Sequence, residues 1–425
     1  MNSKLPWPHP KGDHPVGVLD FDLDDSSRAS PYADPPHIGR RLTVTAWYPA
    51  APTEGFLRRT YLRPEEVADG VHSFFNLLQV PHDHQVAIGA IETASYANAP
   101  CAPGPWPLLV FCHGGGLYRE QNTRLMEYLA SHGYVIVSIA RPHESGSYVA
   151  ADGRLVRMSP RIVGDTPKLN ELLADMTRSM HGPVFQERLE LGHRVAAELR
   201  SVWIGRLAST WTEDQVLVVD RLLNGEVDEL AGKLKSEVGY FGMSYGAHIS
   251  ALSALQDARA RACVNLDGGV FTSEPIGREL GVPMLCIGED AHFALTAVGF
   301  NVPPATTEAM SATEYAFARA DRIAPLHPVY RTTFLRSNHG DVTDWPVLAS
   351  TPGQTYDPGE RAIDLQCRLV GDFFDTFVRR MDVGFPEDTW RAFADALIVH
   401  RQQWEESPRS SLELSASHGS KDQAL

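Results

Sequence analysis

Residues 239–248 read Gly-Tyr-Phe-Gly-Met-Ser-Tyr-Gly-Ala-His, a Gly-x-Ser-x-Gly pentapeptide that follows an apolar stretch and opens a run of helical character. On a tight strand-to-helix turn, a serine at the centre of this pattern carries its hydroxyl on a strained backbone. Gly242 and Gly246 suit that turn, because a side chain at either position would collide with the adjoining strand or helix. The stretch predicts a buried strand, a nucleophile elbow with Ser244 at its tip, and a helix.

A second element lies well upstream. Pro107–Cys112 is a continuous apolar run of strand length, and it ends at His113-Gly114-Gly115-Gly116. A buried strand running into a glycine cluster, with a helix from about Glu120, is where α/β-hydrolases place half of an oxyanion hole. Glycine lets a backbone N–H approach a substrate oxygen without obstruction. The two donors are assigned to the amides of Gly115 and Tyr245, the latter following the nucleophile. One such donor typically lowers the barrier by ~3–4 kcal/mol.

The rest of the chain fits one large α/β unit. From residue 107 the rhythm alternates strands and helices. Strands are expected at Pro107–Cys112, Tyr134–Ile139, Val238–Gly242, Ala262–Leu266, Pro283–Gly288 and Tyr330–Leu335. Apolar runs separated by helices indicate a mostly parallel sheet covered on both faces. Before them, Val16–Leu23 and Arg41–Tyr48 alternate apolar and polar residues, as an antiparallel pair at the sheet edge would. Val71–Val80 reads as a short amphipathic helix.

Between about residues 145 and 210 the alternation breaks. Helical periodicity over Thr166–Met180 and Pro183–Leu207 predicts a cap inserted over the strand ends. Thr212–Leu223 then serves as the ordinary crossover helix, with Thr212 and Gln215 forming a capping box and Gly225 closing the helix. Glu360–Arg380 carries a broad apolar face for packing on the sheet. Residues 1–405 are expected to form a single domain, and 406–425, rich in Ser and charge, a disordered tail.

Composition narrows the partners. A net charge of −15 leaves no basic stripe for nucleic acid. No uncharged apolar stretch is long enough to span a bilayer, and the N-terminus lacks a signal-peptide core. Five scattered cysteines without a C-x-x-C pair suggest a reducing compartment, so a cytoplasmic location is expected. His82, His84 and the other histidines offer no credible metal-ligand set, and no metal or organic cofactor is expected.

A serine hydroxyl needs a histidine to take its proton and a carboxylate to orient that histidine. In the α/β-hydrolase order the acid and then the histidine follow the serine. His248 lies one turn into the elbow helix, too near in sequence to reach back. His292 and His327 read as loop or cap residues. His339, in Leu-Arg-Ser-Asn-His-Gly after the last strand, lies on the correct sheet edge. For the acid, Asp267 ends one strand, whereas Glu289 and Asp290 end the next, and geometry permits either strand.

The motifs Phe-Cys-His-Gly-Gly-Gly, Gly-Met-Ser-Tyr-Gly-Ala, Asn-Leu-Asp-Gly-Gly and Asn-His-Gly-Asp, with the loop Arg141–Tyr148, together resemble the platelet-activating-factor acetylhydrolase family of α/β-hydrolases. The likeness spans roughly residues 12–50 and 100–380. It departs in its triple glycine and in the long stretch 290–329. The resemblance implies the acid is Asp267, with Asp290 next, in a Leu-Asp turn after the elbow helix. It also implies a serine carboxylester hydrolase acting on a short-acyl or phospholipid-like ester. Rivals are an acyltransferase or lactone-forming enzyme, a thioester-cleaving enzyme, a peptidase, and a binding protein that kept the fold.

Overall fold

The computed structural model describes residues 7–69, 80–181, 185–275, 278–296, 299, 302, 304, 327–349 and 357–399. The reading of Val71–Val80 falls, save for its last residue, outside them, as do the tail 406–425 and most of 290–329.

Six strands form the parallel centre of the sheet: β5 (Trp106–Cys112), β6 (Val135–Ala140), β9 (Leu234–Met243), β10 (Ala260–Leu266), β11 (Met284–Gly288) and β12 (Val329–Phe334). They run in the order β12-β11-β10-β9-β5-β6. All six match expected strands. Both faces of the sheet are covered, which explains why these strands read as unbroken apolar runs. Along β5, Leu109 and Phe111 face one layer, while Leu108 and Val110 face the other. On the first face Phe241 packs against Phe374 with ring centroids 5.6 Å apart, bringing in the helix Asp357–Phe377. The opposite face holds Val218, Val219 and Leu222 of the helix Ala208–Leu223.

The expected antiparallel pair exists as β1 (Val16–Ser30) and β2 (His37–Pro49). It is not the edge. β2 pairs antiparallel with β6, and beyond β1 lie β4 (Glu92–Ala97), parallel to it, and β3 (Arg58–Thr60). Pairing on both sides explains why β2 is buried along most of its length, although its sequence alternates. At the other end β13 (Leu397–Val399) adds an antiparallel strand to β12.

The insertion between β6 and β9 is helical, as expected, but its breaks differ. After a small hairpin of β7 (Tyr148–Val149) and β8 (Leu155–Val156), helices run Thr166–His181 and Phe185–Glu198. The second was expected to continue to Leu207. Instead a 3-10 turn at Leu199–Ser201 and extended Val202 separate it from the short helix Trp203–Arg206. The crossover helix starts at Ala208, so Thr212 is interior and forms no capping box. Its hydroxyl donates to the Ala208 carbonyl, and Gln215 accepts from Ser253. Gly225 closes that helix at φ 78° with its N–H on Leu222. The helix expected from Glu120 begins at Thr123.

A buried ion network fastens this insertion to the sheet. Arg40, at the start of β2, is bidentate to Glu144 at 2.8 and 2.7 Å and also bonds Asp214 at 2.9 and 2.7 Å. Trp211 donates its indole N–H to Glu144, and the Arg141 guanidinium stacks 4.1 Å from the Trp211 ring. All three ion-paired side chains are fully buried, so each charge depends on the others for the solvation it has lost.

Candidate active site

Ser244 sits between β9 and the helix Tyr245–Gln256 at φ 55° and ψ −122°, a region that costs a non-glycine residue of order 1–3 kcal/mol. The surroundings over-determine the strain. The Ser244 N–H donates to the Leu266 carbonyl of β10 at 2.9 Å, and its carbonyl accepts from Ala247. The flanking glycines are needed for space, as expected. A Cβ on Gly242 would strike the Gly246 carbonyl, and one on Gly246 would strike Cys112 at the end of β5. The elbow is wedged between two strand ends.

The next strand end is strained too. Asp267 follows β10 with φ 52°. Its turn is clamped by Asn265, whose amide oxygen accepts from the Gly268 N–H at 2.6 Å. Asp267 Oδ2 lies 2.6 Å from His339 Nδ1, and Oδ1 accepts the Glu289 N–H at 2.9 Å. The two open acid alternatives therefore separate. Asp290 accepts N–H bonds from Phe293, in the short helix Ala291–Thr296, and from Arg336, so it holds these main-chain groups rather than the imidazole. His339 itself opens a short 3-10 turn after β12, capped by the Asn338 side chain, which accepts from Gly340.

The Asp267 carboxylate is nearly buried at 8% exposure, whereas the His339 side chain is 51% exposed. Desolvation of the ring opposes its charged form. The hydrogen bond and charge of Asp267, with Glu289 behind them, outweigh that and raise the His339 pKa. Among the described residues no hydrogen bond joins the Ser244 hydroxyl to this ring, though such contacts are often long in a ligand-free hydrolase. The other histidines have other partners. His248 is buried against Thr272 and the Phe271 N–H, and burial lowers its pKa to about 3. His292 bonds the Val302 carbonyl.

Gly115 lies beside Tyr245. A Cβ added to Gly115 would come within 3.5 Å of Tyr245 Cβ. Among the described residues neither amide donates to a turn or loop carbonyl. The preceding segment is held firmly. Gln121 accepts the Gly114 N–H at 3.0 Å, and His113 bridges the Gly114 carbonyl and Ser145 hydroxyl, both at 2.8 Å. Burial, followed by the charge of Arg141, lowers the His113 pKa to about 3, so this histidine is a neutral strut.

The insertion also packs against the site. Val202, Trp203 and Ile204 are buried, in keeping with core packing, but their packing reaches the site. A Cβ at Gly115 would meet Ile204 Cδ1 at 3.0 Å and the Trp203 ring at 3.3 Å, and one at Gly269 would meet the sulfurs of Met176 and Met180 at 2.9 and 3.1 Å. Helical periodicity alone cannot say which apolar face looks onto a glycine loop. The five cysteines are buried free thiols, and Cys112, Cys263 and Cys286 lie in strands of the sheet.

The model of the family described as platelet-activating factor acetylhydrolase, isoform II, matches residues 1–288. The chain belongs to this family. The match takes in Gly115, Ser244, Tyr245 and Asp267 and stops short of His339. Curated family relatives include the platelet-activating factor acetylhydrolases of Gallus gallus, 24% identical over 143 residues, and Cavia porcellus, 24% identical over 196 residues. These matches cover 33% and 45% of this chain, and 31% and 41% of the relatives' own lengths. The fold extends beyond the family. A solved ferulic acid esterase from Streptomyces cinnamoneus superposes with a TM-score of 0.62 at 22% identity, covering 92% of this chain and 98% of that one. The architecture is the α/β-hydrolase fold. Among the described residues no helix is long and apolar enough to cross a membrane.

Proposed function

We propose that the chain is a serine carboxylester hydrolase working through Ser244, His339 and Asp267. The observation that carries this reading is the 2.6 Å bond between Asp267 and His339 Nδ1, formed one strand away from a serine held at φ 55°. That bond fixes the imidazole tautomer, leaving Nε2 as the acceptor for a hydroxyl proton. Ser244 Oγ attacks the ester carbonyl as His339 takes its proton. The oxyanion rests on the Gly115 and Tyr245 amides, which cost no reorganisation when charge develops. Collapse expels the alcohol with the proton from His339. Water, activated by the same ring, then releases the acid and restores Ser244.

The substrate class is a short-acyl or phospholipid-like ester. Support comes from family membership, and Trp203 and Ile204 pack against the Gly115 loop. Five buried thiols fit a reducing, cytoplasmic setting. The test is p-nitrophenyl acetate turnover by the wild type and by Ser244→Ala, with a fluorophosphonate probe to locate the reactive serine. Turnover should vanish with the hydroxyl, and equal rates would sink covalent catalysis at this residue. Adding a competing alcohol separates hydrolysis from acyl transfer, because a transferase would make the new ester in preference to the free acid.

A further inference from the structure

Gln121 and Asn122 lie in the turn that opens the helix Thr123–Ser131, and both side chains are buried. The Gly114 N–H donates to Gln121 Oε1 at 3.0 Å, and Gln121 Nε2 donates to Asn122 Oδ1 at 2.8 Å. Asn122 Nδ2 in turn donates to the Val342 carbonyl at 2.7 Å. Val342 ends the 3-10 turn that His339 opens. A second tie runs beside the first, from the Asp344 N–H to the Gln121 carbonyl at 2.9 Å. Asn122 stands where an asparagine ordinarily caps its own helix. Its side chain makes no such cap bond and reaches Val342 instead.

We propose that Gln121 and Asn122 are positioning residues of the ester-cleaving site, two amides in series that hold the Gly114–Gly115 loop in register with the His339 turn. The inference rests on the function proposed above. A main-chain N–H can only donate and a main-chain carbonyl can only accept, so the direction of the relay is set at both ends. A carboxamide does both, and two of them joined head to tail span the gap. A carboxylate at either place would accept but not donate. The last carbonyls of a helical turn have no partner within it, and a buried one needs a donor from elsewhere. Gln366, from the helix Asp357–Phe377, also donates to the Val342 carbonyl at 2.7 Å. Of the two donors, Asn122 is the one whose bonds lead back to Gly114. Oxyanion donors act by being in place before charge develops, and a displacement of about 1 Å can cost ~10²-fold in rate.

The experiment is a double-mutant cycle on p-nitrophenyl acetate with Gln121→Met, Asn122→Leu and the two combined. Each is also measured for inhibition by a trifluoromethyl ketone, which binds the serine as a tetrahedral oxyanion. Either single variant should lose about tenfold or more in kcat with little change in KM, and ketone affinity should fall in parallel. The double variant should lose no more than the worse single one, because cutting one relay twice adds nothing. A purely structural role would lower Tm and leave kcat and ketone affinity of the folded enzyme at wild-type values. That result overturns the proposal, and so do losses that multiply. Asn122→Asp keeps the shape and, once ionised, lacks only the donor to Val342. It should show the same loss in kcat, which keeps the test open if the leucine variant does not fold. A wild type that neither turns over the ester nor takes the fluorophosphonate at Ser244 strikes the esterase reading and this assignment with it. An active wild type with unaltered variants strikes the assignment alone.

Discussion

The Tyr245 hydroxyl donates to the Ile204 carbonyl at 2.6 Å, so the residue that follows the nucleophile is tied to the helical insertion. Tyr245 is fully buried, with its ring edge-on to Trp203 and Phe271. Tyr245→Phe keeps the packing and removes the donor. The expected loss is about 1 kcal/mol of stability, measured by urea unfolding. Specificity should shift as well, with kcat/KM for bulky alcohols changing more than for acetate esters.

Asp267→Asn and Asp290→Asn should diverge. The first leaves His339 without the acceptor that selects its tautomer, and kcat should fall by about 10⁴. The second loosens the Phe293 and Arg336 amides and should lower Tm while keeping most turnover. Steady-state kinetics on a chromogenic acetate ester reads both. A collapse confined to the Asp290 variant would overturn the assignment.

Activity and stability should respond to pH in opposite directions around His339. The ring must be neutral to act as base, and Asp267 raises its pKa. Thus kcat/KM should rise through an apparent value above that of an ordinary histidine, and Asp267→Asn should move what activity remains to lower pH. The same bond contributes stability that is fully present below the unfolded histidine pKa and is lost as pH rises through the raised one. Because the ring is half exposed, water weakens that contribution. A pH series of kcat/KM set against one of Tm checks both signs.

Removing Arg40 should be severe. Arg40→Met would leave Glu144 and Asp214 facing each other in a dry interior, with Arg141 and Arg28 as the remaining cations near Asp214 among the described residues. Breaking a buried pair in this way costs roughly 3–5 kcal/mol. Urea midpoints measure it, and a change below 1 kcal/mol would mean that water reaches the network.

Much of this was legible in the sequence for physical reasons. A parallel strand buried on both faces leaves an unbroken apolar run, so all six central strands were readable. The elbow and the Gly114–Gly116 cluster are local motifs whose meaning does not depend on distant contacts. The placement of β3, β4 and β13 was not readable, because a short strand such as Glu92–Ala97 is decided by its pairing with β1 rather than by its own pattern. Thr212 misled because a hydroxyl that bonds back to Ala208 inside a helix has the same sequence spacing as a cap. Asp267 and the pair Glu289 and Asp290 were inseparable as candidates from strand ends alone. Only coordinates show that it is Asp267 that meets the His339 ring.

Asp267 and His339 follow β10 and β12 of the same parallel sheet, with β11 between them, whereas the residues crowding the Gly115 loop come from the insertion between β6 and β9. Under the proposed function, chemistry and selection are lodged in separate parts of the chain. Descendants of this sequence would then trade one ester for another by rewriting some sixty residues of helix, and the proton-handling machinery need never notice.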